Sequence, residues 1–240
     1  WRTPEFVARD VYRNPKATLE FFGVRPDMTV IEIWPGGGWY AEILAPLLRD
    51  GGRYVGAIVD PASAPTERGR DYYTEQNALL RAKFEANPEV YGQATLVETD
   101  PAAPVFGEPG SADAVLTFRN VHNWMMAGNA QPMFDGFFAV LRPGGVLGVV
   151  EHRADQDVPE GDRSGYVSEN QVIAFATAAG FVLEERSEIN ANPRDSKDHP
   201  NGVWTLPPTL RVPEGQDAQK YRDIGESDRM TLRFRKPAGE

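Results

Sequence analysis

The stretch that most constrains the fold is IEIWPGGGWYAEIL, residues 31–44, where three consecutive glycines separate an apolar run from a helix-like sequence. The apolar run is rich in β-branched residues, which is typical of a buried strand. Glycines at the end of a strand allow a tight turn and a close approach of the backbone to a ligand. The junction therefore predicts the first strand and helix of an α/β sheet, joined by either a ligand-binding loop or a plain turn.

The same alternation of strand-like and helix-like segments continues along the chain. Further buried strands are predicted at RYVGAIVD, QATLVETD, ADAVLTFRN and VLGVVEHR, and helices at RDYYTEQNALLRAKFEAN, QPMFDGFFAVLRPGG and SENQVIAFATAAG. Two late strands, FVLEERSEI and DRMTLRFRKP, alternate apolar and polar residues. This order indicates βαβ units and a mostly parallel sheet, and hence one doubly wound α/β domain.

The domain is expected to occupy residues 1–240 without a second unit. Its predicted parts are a helical cap at 1–26, an α/β core at 27–189, a long loop or lid at 190–227 and a last strand at 228–237. Asn14-Pro15 predicts a break within the cap, and Gly23 predicts the end of its last helix. A connection of about forty residues in a compact domain is usually a lid, a binding loop or a flexible segment.

The net charge and the composition limit the classes of partner that the protein can be expected to bind. The net charge of −10 argues against a nucleic acid, because binding a polyanion generally needs a basic face. No apolar run reaches the roughly 20 residues that cross a bilayer, and the absence of cysteine excludes disulfides and thiolate metal sites. A small-molecule partner is therefore expected. The sequence starts at Trp1 rather than at a methionine, which leaves export open.

The glycine stretch does not match the common phosphate-binding patterns. It is neither Gly-x-Gly-x-x-Gly nor a P-loop, and no lysine or arginine follows in the first helical turns. The spacing Glu32-x-Trp34-x-Gly36-x-Gly38 instead resembles the first motif of class I S-adenosylmethionine-dependent methyltransferases, which is acidic-x-Gly-x-Gly-x-Gly. Trp34 stands at the first glycine position, and the other two positions match.

The resemblance covers residues 28–237 and rests on an ordered set of motifs. It implies a Rossmann-like, seven-stranded, mostly parallel sheet with an antiparallel last strand, and S-adenosylmethionine as the cofactor. The implied cofactor-binding residues include Asp60 at the ribose and Asp100 at the adenine, and the full set is Glu32, Trp34, Gly36, Gly38, Asp60, Asp100 and Asn120. The stretch at 119–121 is similar to the quinone-biosynthesis C-methyltransferase branch.

More narrowly, WPGGGWY, FRNVHNW, VVEHRA and DHPNGVWTLPP resemble a group of uncharacterised bacterial predicted methyltransferases. Export signals occur in that group, whereas the cofactor is made in the cytoplasm. The resemblance thus leaves two compartments open: cytoplasmic for an ordinary methyltransferase, and exported or periplasmic otherwise. It names neither the substrate nor the oligomeric state.

Methyl transfer to a hydroxyl or carbon acceptor needs a base near the acceptor. His122 follows one predicted strand and His152 lies near the end of another, and the ordinary pKa of histidine suits proton transfer around neutral pH. A histidine near a strand end is more often a hydrogen-bonded structural residue, so both interpretations stay open. Arg119, and also Arg153, could bind an anionic substrate or the cofactor carboxylate, or pair with Glu151 and Glu32. We take His122, His152 and Arg119 as the catalytic candidates. In a regular strand Glu151 points away from His152.

The long loop and the helix after the fourth strand supply candidate substrate contacts. These are His199, Trp204 and Trp124, while Trp39 and Tyr40 are expected to pack in the core. The histidines lack a tight ligand spacing such as His-x-x-x-His, so no metal site is predicted.

Together these observations predict a methyltransferase of small molecules, acting at oxygen or carbon. Two alternatives remain open. One is an enzyme on the same fold that acts as a lyase, isomerase or metal-assisted hydrolase through a histidine-lined cleft. The other is a non-catalytic protein that binds a small ligand.

Overall fold

The computed structural model describes residues 1–239 as a mixed α/β structure. Its α-helices are α1 (Pro4–Val7), α2 (Asp10–Arg13), α3 (Pro15–Phe21), α4 (Ala41–Leu48), α5 (Glu67–Ala86), α6 (Pro88–Tyr91), α7 (Val121–Ala127), α8 (Ala130–Val140), α9 (Glu169–Ala178) and α10 (Ala218–Ile224). Its strands are β1 (Thr29–Ile33), β2 (Arg53–Val59), β3 (Thr95–Thr99), β4 (Ala112–Phe118), β5 (Leu141–Ala154), β6 (Val167–Ser168), β7 (Val182–Ser187) and β8 (Arg229–Arg235). Short 3₁₀ helices occupy Pro61–Ser63 and Gly202–Thr205.

The sheet has the strand order β3-β2-β1-β4-β5-β8-β7, and the two-residue β6 pairs with the end of β5. Strands β1 to β5 run parallel, whereas β8 is antiparallel to both β5 and β7. The predicted mostly parallel sheet with an antiparallel last strand is therefore confirmed. The order reverses between β1 and β4, so the ends of these two strands open a crevice where ligands bind in such sheets.

Each face of the sheet is covered, because alternate residues of the strands point to opposite sides. On one face Ile31 and Ile33 of β1 pack with the apolar sides of α7, α8 and α9. On the other face Val30 packs with α3, α4 and α5. The two clusters are what a doubly wound fold requires, and they leave the carboxyl ends of the strands free for a site.

Several helix ends lie where local sequence signals predict them. Asn14 has φ +39° between α2 and α3, and Pro15 begins α3. Gly23 follows α3 with φ +70°. Ser168 caps α9 through a capping box with Gln171, which satisfies backbone N–H groups of the first turn.

The structure corrects one predicted helix end. The segment QPMFDGFFAVLRPGG is helical only as far as Val140, and β5 starts at Leu141. Pro143 and Gly144 therefore lie in the first part of β5, where the pairing with β4 shifts register between Ala112 and Ala114. The irregular pairing accommodates a proline and two glycines that a regular ladder would not.

The connection between β7 and β8 is packed against the domain. It contains the 3₁₀ helix Gly202–Thr205 and α10, and it buries Val203, Leu206 and Tyr221. Within residues 1–239, none of the helices combines the length and the apolar character needed to cross a bilayer.

Candidate functional site

The turn after β1 has left-handed backbone at three alternate positions: Trp34 at φ +50°, Gly36 at φ +57° and Gly38 at φ +84°. These are the three positions that the glycine motif specifies. A side chain in this conformation costs roughly 1–2 kcal/mol. Trp34 is held there because its backbone N–H donates to the carbonyl of Ala57 at 2.8 Å, which extends the β1–β2 ladder. The tryptophan thus keeps the backbone of the motif while adding a large side chain.

A cleft of about 380 Å³ opens beside this turn. Its lining comes from four elements: Trp34 and Gly36 of the turn, Ile58 and Val59 of β2, Tyr72, Tyr73, Gln76, Asn77 and Leu80 of α5, and Asn120, Asn123 and Ala127 around α7. The cleft lies at the carboxyl ends of β1, β2 and β4, where a parallel sheet places its ligands.

Trp34 forms an aromatic wall of this cleft. Its ring lies 6.4 Å from that of Tyr73 and meets Trp124 edge-on at 5.7 Å between centroids. The indole Nε1 is buried and has no hydrogen-bond partner within residues 1–239. Because an unpaired buried N–H is costly, this atom is suited to donate to a ligand.

Glu32 and Gly38 lie beneath the turn rather than in the cleft lining. Glu32 is buried and accepts a hydrogen bond from the Tyr54 hydroxyl at 2.8 Å. Burial raises the pKa of Glu32 to about 8, although the Tyr54 hydrogen bond and Arg119 oppose the change. A Cβ at Gly38 would lie 3.1 Å from Leu80, so this glycine lets α5 pack closely.

Asn120 joins the ends of two strands at the crevice. Its Nδ2 donates to the carbonyl of Ile33 at 2.9 Å and to the Thr117 hydroxyl at 3.3 Å. The side chain is buried, yet the residue lines the cleft. It therefore fixes the distance between the turn after β1 and the turn after β4.

Asp60 and Asp100 lie side by side where β2 and β3 end, because the N–H of Asp60 donates to the carbonyl of Thr99 at 2.9 Å. Oδ1 of Asp60 accepts a hydrogen bond from the N–H of Ala62 at 2.8 Å, and Oδ1 of Asp100 accepts one from the N–H of Ala102 at 2.8 Å. Each carboxylate thereby closes the turn that follows it. Neither residue is in the cleft lining. They flank the cleft beyond Val59.

A second cavity, of about 270 Å³, lies under the N-terminal helices. It is lined by Arg9, Arg13, Arg119, His122, His152, Val203, Trp204, Pro207, Pro208, Thr209, Ser227 and Arg229. The cap, the ends of β4 and β5 and the long connection all contribute, so the cavity exists only in the folded domain. We call it the arginine cavity.

His122 and His152 meet at the edge of this cavity, with ring centroids 5.4 Å apart. The Nδ1 of His122 lies 3.1 Å from Oε1 of Glu151, which is fully buried. The Nδ1 of His152 lies 2.5 Å from the Ser227 hydroxyl. Burial, followed by the neighbouring His122, lowers the pKa of His152 well below its ordinary value. His152 is therefore neutral at physiological pH.

Glu151 was expected to point away from His152, and the structure refines that expectation. The carboxylate at the strand end reaches back to accept the backbone N–H of His152 at 2.8 Å. Ligand atoms of His122, Glu151 and His152 lie within 4.8 Å of one another, a geometry that could hold a metal ion. Arg119 and Arg229 line the adjoining cavity, and their positive charges oppose a cation there.

Of the three residues predicted to contact the substrate, two are buried among other side chains of the domain and one lines a cavity. Trp124 is fully buried between Trp34 and Phe137, which removes it from direct contact with a substrate. His199 is buried and its Nε2 lies 2.8 Å from Asp195. Trp204, in contrast, lines the arginine cavity with its ring 6.0 Å from that of His122.

Arg153 does not pair with Glu151 or Glu32, as considered from the sequence. It binds Glu188, Asp228 and Glu169 near the end of β5. Four strong polar contacts hold its guanidinium to Glu188 and Asp228 at 2.7–3.0 Å. Arg153 is therefore a link between β5 and the last connection.

Sequence reasoning missed the residues that come from distant segments. Arg9 and Arg13 of the cap converge with Arg229 of β8 on the carboxylate of Glu226. No local sequence pattern predicts that these three arginines and Glu226 come together. The one available signal was the arginine-rich character of the predicted cap helices.

Comparison with known proteins supports the fold. No protein-family model and no curated protein matches the sequence. Among solved structures, a SAM-dependent methyltransferase from Aquifex aeolicus is 13% identical, with 95% of this chain and 93% of that chain covered and a TM-score of 0.63.

Two other solved structures resemble this chain to a comparable degree. The [4+2]-cyclase SpnF is 17% identical over 95% of this chain and 82% of its own, with a TM-score of 0.66. The N-methyltransferase NodS from Bradyrhizobium japonicum, solved with S-adenosyl-L-homocysteine, is 17% identical over 94% and 86%, with a TM-score of 0.57. The strand order and these likenesses agree: the chain has the fold of the class I S-adenosylmethionine-dependent methyltransferases.

Proposed function

We propose that this protein is an S-adenosylmethionine-dependent methyltransferase that acts on a small molecule at oxygen or carbon. The observation that carries the proposal is the turn after β1. It keeps the left-handed backbone of the glycine motif at all three positions and directs Trp34 and Gly36 into a cleft at the switch point of the sheet.

The residues around the cleft suit the cofactor. The unpartnered indole N–H of Trp34 and the amides of Gln76 and Asn123 offer polar contacts among aromatic and aliphatic walls. A Cβ at Gly36 would have no atom within 4 Å, so the backbone there is open to close approach. Asp60 and Asp100 would hold the ribose and the adenine through the oxygens that their turns leave free.

When bound, the cofactor would supply a methyl group on a positively charged sulfur. The chain would supply the base that accepts a proton from the methyl acceptor, and His122 fits this role. Oε1 of Glu151 lies 3.1 Å from Nδ1 of His122 and would accept its N–H, which leaves Nε2 as the proton acceptor. Glu151 then acts as a positioning residue that also stabilises the protonated imidazole.

His152 fits a different role beside the base. Its lowered pKa keeps it uncharged next to His122, so it does not repel the imidazolium that His122 forms. We assign Arg119 to substrate binding rather than to proton transfer, because a guanidinium stays protonated.

Calorimetric titration with S-adenosylhomocysteine tests the cofactor assignment. Saturable binding by wild type, with loss of affinity in Gly36→Val, is expected, because the valine would be strained at φ +57° and would fill the cleft. Absence of heat with a folded sample at millimolar ligand would overturn the proposal.

A second candidate is an enzyme of the same fold that does not transfer methyl groups. The likeness to a [4+2]-cyclase and the close pairing of buried His122 with half-buried His152 favour it. Binding of S-adenosylhomocysteine without transfer of a labelled methyl group from S-adenosylmethionine to any small molecule would favour this candidate over the first.

A further inference from the structure

We infer that the methyl acceptor is a small apolar molecule bearing a carboxylate or phosphate, and that Arg119, Arg13 and Arg229 bind this oxyanion in the arginine cavity. The inference rests on the proposed function, since it names the class of acceptor for that site. The anion site itself can be tested without the cofactor.

Arg119 is the main evidence for an anion. It follows β4 with φ +61°, a conformation that is costly for an arginine, and its side chain lines the cavity. Glu226 forms ion pairs with Arg9, Arg13 and Arg229 but not with Arg119, which has no ion pair within residues 1–239. Arg119 is half-buried, and an arginine shielded from water is normally paired.

The charges in the cavity are unbalanced. Four arginines line it, whereas no carboxylate is among its lining residues. Burial, and then the charge of Arg229, lowers the pKa of Arg119 to about 10. Burial, and then Arg119, lowers the pKa of Arg13 to about 8. This concentration of positive charge lies in a chain whose net charge is −10, so a bound anion would relieve a local repulsion.

Arg229 adds an orphaned donor. The residue is 2% exposed, and its Nε is buried without a hydrogen-bond partner within residues 1–239. Its other nitrogens donate to the carbonyl of Tyr12 and to Glu226. The guanidinium is therefore fixed in position with one N–H unused. Fixed guanidinium groups are well suited to carboxylate and phosphate oxygens.

The apolar part of the acceptor has its own place. A cavity of about 320 Å³ also has His122 in its lining, which is mainly apolar, with residues such as Met125, Val158 and Phe175. Its polar lining residues include Gln131, Glu160, Asp162 and Gln171. His122 lines both this cavity and the arginine cavity. An acceptor with an apolar body and an oxyanion would thus pass beside the proposed base.

The test uses two anions, benzoate and inorganic phosphate, titrated into the full chain at constant ionic strength with chloride as the background anion. Saturable one-to-one binding of either is expected from calorimetry, and the anion that binds more tightly identifies the group. Arg119→Gln should weaken binding at least tenfold. Arg53→Gln makes the same charge change at the exposed amino end of β2 and should leave binding within twofold.

Folding of the variant is checked separately. Arg119 forms no ion pair among residues 1–239, so Arg119→Gln should have a melting temperature equal to or above that of wild type. Failure of both anions to bind folded wild type would overturn the inference, as would equal losses in the two variants. Competition between benzoate and S-adenosylhomocysteine would also overturn it, because the arginines would then hold the cofactor carboxylate.

The two proposals fail in different ways. Binding of S-adenosylhomocysteine without either anion overturns the acceptor class alone. Binding of an anion without S-adenosylhomocysteine supports the anion site and contradicts the cofactor assignment.

Discussion

Trp34 meets a backbone requirement that glycine usually meets. Its φ of +50° matches the left-handed conformation of Gly36 two residues later, so the turn is retained. The cost of a side chain in that conformation is offset by packing of the indole against Trp124 and Tyr73. The tryptophan at the first glycine position therefore changes the wall of the cleft and keeps the backbone of the turn.

The indole N–H gives a prediction at this residue. Trp34→Phe should weaken binding of S-adenosylhomocysteine about five- to tenfold, since a hydrogen bond contributes about 1 kcal/mol. Trp124→Phe is the matched control, because its Nε1 is also buried without a partner in the described part of the chain, but the residue does not line the cleft. Equal losses of affinity in both variants, measured by calorimetry, would contradict a direct contact from Trp34.

Glu32 gives a pH prediction whose sign follows from its raised pKa. The folded protein holds the proton of Glu32 up to a pKa of about 8, whereas the unfolded chain releases it near pH 4.3. Stability from this group is therefore complete below about pH 4 and is lost as the pH rises to about 8. Glu32→Gln should flatten this dependence and raise the melting temperature at pH 8. A melting temperature that falls at pH 8 would contradict the assignment.

Among the elements, one carboxylate forms ion pairs with both the N-terminal cap and the last strand, in addition to direct hydrogen bonds such as that from Arg229 to the carbonyl of Tyr12. Glu226, just before β8, forms ion pairs with Arg9 and Arg13 of the cap and with Arg229 of β8. Burial opposes its charge, yet Arg229, Arg13 and Arg119 lower its pKa well below the ordinary value. The Glu226 carboxylate thus holds in place the three arginines of the cap and β8 that line the arginine cavity.

Glu226→Gln should destabilise the fold by about 3–5 kcal/mol, because it leaves buried guanidinium groups without their counter-charge. Urea unfolding measures this change. Asp10→Asn, which removes the partner of Arg2 at a half-exposed position, should cost about 1 kcal/mol or less. Similar losses in the two variants would show that the Glu226 cluster is not the link between cap and sheet.

The elements differ in how far the sequence predicts them. The strands and helices of the core follow from local periodicity and from caps such as Ser168, so they were predictable. The end of α8 was not, because the shifted pairing of β4 with β5 takes Pro143 into the strand. The approach of Glu151 to His122 depends on where β5 ends beside α7, a tertiary relation without a local signal.

In the whole molecule, different parts of the chain surround the cleft and the arginine cavity. The glycine turn, α5 and Asn120 surround the cleft proposed for the cofactor. The cap, the last connection and β8 surround the arginine cavity proposed for the acceptor. Arg119 and Asn120 are consecutive residues, so the turn after β4 lies between the two cavities.

This arrangement supports methyl transfer, and a labelled methyl group on the cofactor tests it. The protein is incubated with methyl-labelled S-adenosylmethionine and a pool of small organic acids, and the label in the acids is measured. We predict transfer by wild type and a loss of about 100-fold or more in His122→Ala, the range of general-base catalysis, while that variant still binds S-adenosylhomocysteine. Label that stays entirely on S-adenosylmethionine with folded, cofactor-binding wild type would contradict methyl transfer by this protein.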